Sequence, residues 1–404
     1  MRFLNRFFAV TPERYARLYM DKLRALGDTR TWQYEAALDR LTLPPANGEQ
    51  SSDVINLTNM FREYTSVKRG LRAETLRRQT TGMMQSYTPD TLAEARANLR
   101  PVIRSATERG QVYLTLQKDA KRDVAFRPLC ENLEIGVAYD SEYTIARLTY
   151  RTLDQWGISF DEAYDIAIDN LRLLSGKPFN RLQDGVLLSG FDDHFDASRA
   201  LLTDLLHRQD ISGAPVVMVP NRSTLLLTGE RNDAGLATMV TVAESASQAP
   251  RPLPPLMLRW NGERWENFVP PALATRLAML RVRETSGDYG SQKAGLDQLF
   301  QQKGVDIFVA SYTAYQGPDG SVHSNCVWTE GVRSLLPVTD RVYFFRQSEK
   351  EGVQVPWAEA VQACGHLMTQ TDHLPVRYEV DAFPDPAVFD AWRANAAPKA
   401  GGEA

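Results

Sequence analysis

Pro215-Val-Val-Met-Val-Pro-Asn-Arg-Ser-Thr-Leu-Leu-Leu-Thr228 is the stretch from which the fold is read. Its two apolar runs, Pro215–Val219 and Thr224–Thr228, are too short for helices and carry no polar alternation, which predicts buried strands. Pro220-Asn-Arg-Ser223 between them has turn-forming composition. Asp233 then caps a predicted helix with Leu236, Ala237, Val240 and Ala243 on one side. Two short strands followed by a single helix predict an α+β fold, with a central mixed sheet packed by helices.

The same texture extends in both directions. Upstream, Leu133, Ile135 and Val137 alternate as a strand, and Val112, Leu114 and Leu116 suggest another. Ser159-Phe-Asp-Glu162 is a capping box opening a helix whose Ala163, Ile166, Ala167, Leu171 and Leu174 share a face. Downstream, Leu256–Trp260 and Trp265–Val269 flank Asn261-Gly262, a strong hairpin signal. Pro128, Pro220 and Pro337 each precede by five residues the first apolar residue of a predicted strand, Leu133, Leu225 and Val342. This spacing suggests repeated strand-turn-strand-helix units.

Residues 1–105 read as a mainly helical, basic region. Thr11-Pro12 starts a helix with the stripe Tyr15, Leu18, Tyr19, Leu23 and Leu26. Trp32 to Leu43 is strand-like, Val54 to Tyr64 returns to helical spacing, and Thr88-Pro89 starts a short helix. Residues 106–270 form the central α+β domain, and the Pro270-Pro271 break marks the expected boundary to a C-terminal α+β domain over 271–397. There we expect a helix from Tyr289 to Phe300, strands at 305–312, through Val327-Trp328, at 342–345 and at 376–380, a Gly317–Gly320 turn, and an amphipathic helix from Trp357 to Met368. The Gly/Ala-rich tail, 398–404, is expected to be disordered.

At 404 residues, 43% hydrophobic and 24% charged, the chain can bury sizeable cores in two or three domains. Cys130, Cys326 and Cys364 are too widely spaced for a disulfide framework and read as buried thiols of a reducing, cytoplasmic setting. The N-terminal apolar residues Phe3, Leu4, Phe7 and Phe8 are too few for a signal core, and no stretch reaches a membrane-spanning length. The net charge of −4 hides an asymmetry: residues 1–128 carry 22 basic against 14 acidic side chains, and the remainder 24 against 36. No basic run exceeds two residues, so this split reads as attraction between domains more readily than as nucleic-acid binding.

Gly190-Phe-Asp-Asp-His-Phe-Asp-Ala-Ser-Arg-Ala-Leu-Leu202 and Pro215–Leu227 together resemble the YtpQ-like family of bacterial proteins. Asn56-Leu-Thr-Asn-Met-Phe61, Arg100-Pro-Val-Ile-Arg104, Leu153-Asp-Gln-Trp-Gly157 and Asn170-Leu-Arg172 extend the resemblance over roughly residues 50–270. The family is a domain of unknown function, so the resemblance implies a fold and a bacterial cytosolic setting and carries no catalytic residues.

The densest polar cluster is Asp192, Asp193, His194 and Asp196 with Ser198 and Arg199. Carboxylates beside an imidazole can hold a divalent cation, giving one alternative, a metal-dependent hydrolase. The structural alternative, which we favour, makes Asp193 or Asp196 a cap for the helix carrying Leu201, Leu202, Leu205 and Leu206. His323 and Asn325 share a strand face near Cys326 without a positioned base or oxyanion donor. Arg72, Arg77 and Arg78, with Lys68 and Arg69, could bind phosphate and give a second alternative, nucleic-acid binding. Phosphate-loop, zinc-protease and nucleophile-elbow motifs are absent. The sequence therefore reads as a non-catalytic binding or regulatory protein without a cofactor, whose expected partner is another protein. Arg199, Asn221, Arg222, Arg72, Arg77 and Arg78 are its candidate contact residues.

Overall fold

The structure is a computed structural model describing residues 10–44, 54–85, 88–115, 123–317 and 320–396. Phe3, Leu4, Phe7, Phe8, the middle of the Gly317–Gly320 turn and the tail from Pro398 lie outside the described residues. The chain is α+β and divides into two compact units. One holds the chain up to Ser105 and from Thr115 to Leu273; the other holds Ala106–Leu114 and the chain from Ala274 onward.

In the first unit, Thr11 caps the helix Pro12–Ala25, whose Tyr15, Ala16, Tyr19 and Leu23 are buried. They pack with Trp32, Leu41, Ile55, Leu57 and Tyr64 into one core. At about 1.5–3 kcal/mol for each large apolar side chain removed from water, this stripe holds the helix in place. Helices Thr58–Ser66 and Arg72–Met84 flank a small antiparallel sheet of Gln33–Glu35, Arg40–Thr42 and Val54–Asn56. The helical spacing read from Val54 thus begins on a three-residue strand, and the helix itself starts at Thr58.

Leu99–Ser105 pairs antiparallel with Leu133–Asp140 along its whole length, and Phe126–Cys130 and Ile145–Arg147 complete that sheet. A six-stranded sheet follows, in the order Trp265–Asn267, Met257–Trp260, Pro215–Asn221, Thr224–Gly229, Leu187–Leu188, Asn180–Arg181. Every pair in it is antiparallel, where a mixed central sheet was expected, because its neighbours are joined largely by hairpin turns. The Asn261-Gly262 turn is one of these, with Asn261 Oδ1 accepting from Glu263 N and Arg264 N and Gly262 at φ 105°. Helix Asp233–Ala246 packs over Pro215–Asn221 and Thr224–Gly229, and its cap is Asn232, whose Oδ1 accepts from Gly235 N at 3.0 Å, where Asp233 was expected.

In the second unit the segment expected to open a strand with Val112 and Leu114 is a helix, Ala106–Thr115, and Leu116 lies outside the described residues. Its two-residue alternation does not track burial: Val112 is exposed, while Leu114 packs on Leu296. The helix is fixed by close approach, since a Cβ at Gly110 would lie 2.2 Å from the Leu374 carbonyl oxygen. The helix expected from Tyr289 is far longer, Ala274–Lys303. Phe308–Val309 is parallel to Ser334–Pro337, and Val322–Thr329 is parallel to Arg341–Arg346, giving two mixed four-stranded sheets.

Of the three proline-spaced segments, those at Pro128 and Pro220 form antiparallel hairpins. The third differs: Ser334–Pro337 and Arg341–Arg346 lie in different sheets. Asp340 accepts from both the amide and the hydroxyl of Ser324 at 2.7 Å, which draws the chain toward Val322–Thr329.

Candidate functional site

The segment Gly190–Leu202 is shaped by its backbone before its side chains. Asp192 and His194 both adopt left-handed conformations, at φ 56° and 67°, so consecutive side chains diverge. Asp192 and His194 face solvent while Asp193 and Asp196 turn inward. Asp193 Oδ1 accepts from Phe195 N at 3.0 Å, closing the turn. Ala197–Leu201 then forms a short 3-10 helix.

Arg199 is fully buried, and each of its guanidinium nitrogens has an acceptor. Nη1 donates to Asp193 Oδ1 at 2.9 Å and Nη2 to Asp193 Oδ2 at 2.6 Å, a bidentate fork. Nε donates to Ser175 Oγ at 3.0 Å, and Nη2 also reaches the Leu174 carbonyl at 3.3 Å. The Phe191 ring lies 3.6 Å from the guanidinium carbon, covering its face. Burial works to raise the Asp193 pKa, but the hydrogen bonds and charge of Arg199 prevail and hold it below the usual value.

Asp196 is arranged differently. It occupies the position before the 3-10 helix, yet its side chain makes no capping bond. Its carboxylate accepts from Phe191 N at 3.2 Å and from the Ser189 hydroxyl, and burial pushes its pKa up. The capping role expected of Asp193 or Asp196 is thus replaced by a turn that folds back on itself. The cause is Arg199, which draws Asp193 away from the helix start. Partial burial, together with the charges of Arg251 and Arg78, holds His194 below its ordinary pKa.

Two further groups adjoin this turn: Asp140, which was not singled out from sequence, and Arg100, which was quoted only within a stretch of the family resemblance. Asp140 lies 4.0 Å from Arg100 Nε; burial raises its pKa, and the charge of Asp193 adds to the rise. Arg100 Nη1 donates to the carbonyls of Ala97 and Leu99, and burial lowers its pKa. Asp140 is more than fifty residues from Asp193 in sequence, so no local signal links them.

The other stretches that carry the family resemblance are also structural ties. Asn170 Nδ2 donates to the Arg96 and Leu99 carbonyls, Trp156 Nε1 to the Pro89 carbonyl, and Gln155 to the Asp90 carbonyl. Asn59 Oδ1 accepts from Arg251 N. Asn221 is buried; its amide donates to the Ala246 carbonyl and its oxygen accepts from Ser223 N, which makes it the turn residue of its hairpin. The Arg222 backbone bridges Ala197 N and the Arg251 carbonyl.

The basic helix is internally engaged. Arg77 pairs with Glu74 at 2.6 Å, Arg78 pairs with Glu63, and Arg251 reaches the same Glu63 at 3.4 Å. Arg72 stacks 5.5 Å from the centre of the Tyr64 ring.

His323 and Asn325 share one face of their strand, while Cys326 points into the core on the other. The His323 ring is 5.7 Å from that of Tyr315, and its Nε2 is 2.8 Å from Ser321 Oγ. Burial pushes the thiols of Cys326 and Cys364 up to about 11 and also raises Cys130, which disfavours thiolate at neutral pH. Cys130 is only half-buried, where a buried thiol was expected. Among the described residues, no group of three or more His, Cys, Asp or Glu side chains converges in a way that could hold a metal ion.

Sequence reasoning also missed a second acidic site, in the second unit. Burial raises Glu284 to about 8 and Asp288, one turn along the same helix, to about 6. Thr107 Oγ1 donates to Asp288 at 2.8 Å. No described helix is long and apolar enough to cross a membrane.

No protein-family model matches the chain, and no solved structure matches it. A UPF0354 protein of Bacillus cytotoxicus is 29% identical over 147 residues, which are 33% of this chain and 49% of that protein. The chain thus spans about half the length of the curated relative it matches. Over a third of its length it is related to an uncharacterised protein family.

Proposed function

We propose that this chain is a non-catalytic binding or regulatory protein of the bacterial cytosol, YtpQ-like over roughly residues 50–270, with another protein as its partner. The observation that carries the non-catalytic part of this reading is the closed geometry around Arg199: both oxygens of Asp193 are engaged by a fully buried guanidinium, and Asp196 holds an amide and a hydroxyl, while burial leaves Arg199 and Asn221 no surface with which to meet a partner. A hydrolytic site needs carboxylates free to bind a metal or move a proton. Raised thiol pKa values and unpaired cysteines fit a reduced setting without nucleophilic chemistry.

The test is a hydrolysis screen of the purified full chain on phosphoester, ester and peptide substrates, with magnesium, manganese or zinc. We expect no turnover and no metal-induced thermal shift. Metal-dependent turnover that disappears in Asp193→Asn or Asp196→Asn would replace this reading with the hydrolase.

A further inference from the structure

We propose that the chain self-associates through the edge strand Thr313–Gln316, pairing antiparallel with the same strand of a second copy and placing Tyr315 opposite Tyr315 across a two-fold axis. This proposal is independent of the preceding reading. The strand lies at the end of the sheet ordered Thr313–Gln316, Val322–Thr329, Arg341–Arg346, Glu351–Pro356. The far edge is covered by helix Pro386–Ala396, whose Arg393 pairs with Glu351. On the near edge all four residues are exposed.

Natural sheets blunt such edges with Lys, Pro, bulges or inward charges. Ser311-Tyr-Thr-Ala-Tyr-Gln-Gly317 has none of these side chains, and its register with Val322–Thr329 runs unbroken. The pairing pattern fixes which backbone groups are free. Gly317 N donates to the Ser321 carbonyl at 2.7 Å, so by antiparallel alternation Tyr315 and Thr313 also point their amides and carbonyls inward. Those of Ala314 and Gln316 therefore point outward.

A second copy is the occupant this edge fits. In a two-fold contact each residue meets its own kind or its sequence mirror, so a charged edge would repel itself. This edge is neutral. Pairing Ala314 with Gln316 of the other copy, and the reverse, exchanges the outward amides and carbonyls. It sets Tyr315 against Tyr315 at the close, non-hydrogen-bonded position where aromatic pairs contribute most. Tyr315 leans over its own sheet, with its ring 5.7 Å from that of His323 and its hydroxyl accepting from Gln354 Nε2 at 3.2 Å, so the 37% of it that stays exposed is what the second copy would cover.

The test is the mass of the full chain in solution, measured by sedimentation equilibrium from dilute to concentrated protein. We expect a dimer that forms as concentration rises. Ala314→Pro removes one outward amide while leaving the inner ladder intact, and should abolish the dimer with the thermal transition retained. Tyr315→Glu and Tyr315→Lys, which leave the backbone alone, should each be monomeric, and an equimolar mixture of the two should form a dimer again. A native chain that stays monomeric, a dimer that survives these substitutions, or a mixture that fails to pair would each overturn the proposal.

Discussion

Arg199 and Asp193 meet in a bidentate pair at 2.9 and 2.6 Å, with the guanidinium fully buried and the carboxylate partly open to solvent. Removing one partner of a buried pair leaves an uncompensated charge, which typically costs about 3–5 kcal/mol. Asp193→Asn should therefore destabilise the chain by at least about 2 kcal/mol, allowing for the partial exposure of Asp193. Asp196→Asn should cost under about 1 kcal/mol, because an amide oxygen can still accept from Phe191 N and the Ser189 hydroxyl. Denaturant titration of the two variants distinguishes them; equal losses would contradict the division of roles.

Glu284 and Asp288 give the second unit a pH dependence of definite sign. Glu284 is raised from 4.5 to about 8 and Asp288 from 3.8 to about 6, so the folded chain holds protons that the unfolded chain releases. Their contribution to stability is full below the unfolded values and is lost as pH rises through the folded ones. Glu284→Gln cannot ionise, and should raise the thermal transition above about pH 8 by on the order of 2–4 °C, with little effect near pH 4. A shift independent of pH would rule out titration as the cause.

Gly110 tests the discontinuous make-up of the second unit. An added Cβ would lie 2.2 Å from the Leu374 carbonyl oxygen and 2.6 Å from its Cβ, so Gly110→Ala should destabilise by about 1–3 kcal/mol. Gly287, in the long helix, has open space around it, and Gly287→Ala should stabilise by about 0.5–1 kcal/mol. Thermal melts of both variants suffice, and the opposite signs are the prediction.

Much of the fold was legible where a signal is local. The Ser159 capping box forms with both of its reciprocal bonds, Asn261-Gly262 turns a hairpin, and Thr11 caps its helix. What failed was long-range. Val112 and Leu114 alternate as a strand would, but Gly110 against Leu374 and Thr107 against Asp288 hold the segment as a helix. The acidic cluster was found, yet its chemistry was set by Arg199 together with Ser175 and Leu174, which lie 24 and 25 residues away in the chain. Asp140 and Arg100 reach the same turn only through the pairing of Leu99–Ser105 with Leu133–Asp140.

The basic helix should behave as a structural element. Replacing Arg72, Arg77 and Arg78 together with Ala removes the Glu74 and Glu63 pairs and the Tyr64 contact. We expect a lower thermal transition and no retardation of DNA or RNA by the parent chain at physiological salt. Salt-sensitive retardation by the parent that the triple variant loses would establish a nucleic-acid surface there instead.

The measurement that bears most directly on the closed geometry is a double-mutant cycle on Asp193→Ala and Arg199→Met, read as unfolding free energies of the full chain. Because each side chain's burial depends on the other, the double variant should lose little more than the worse single variant, with a coupling of at least about 1.5 kcal/mol. Additive losses, with coupling near zero, would contradict the account: Asp193 would then be free of Arg199 and available for chemistry.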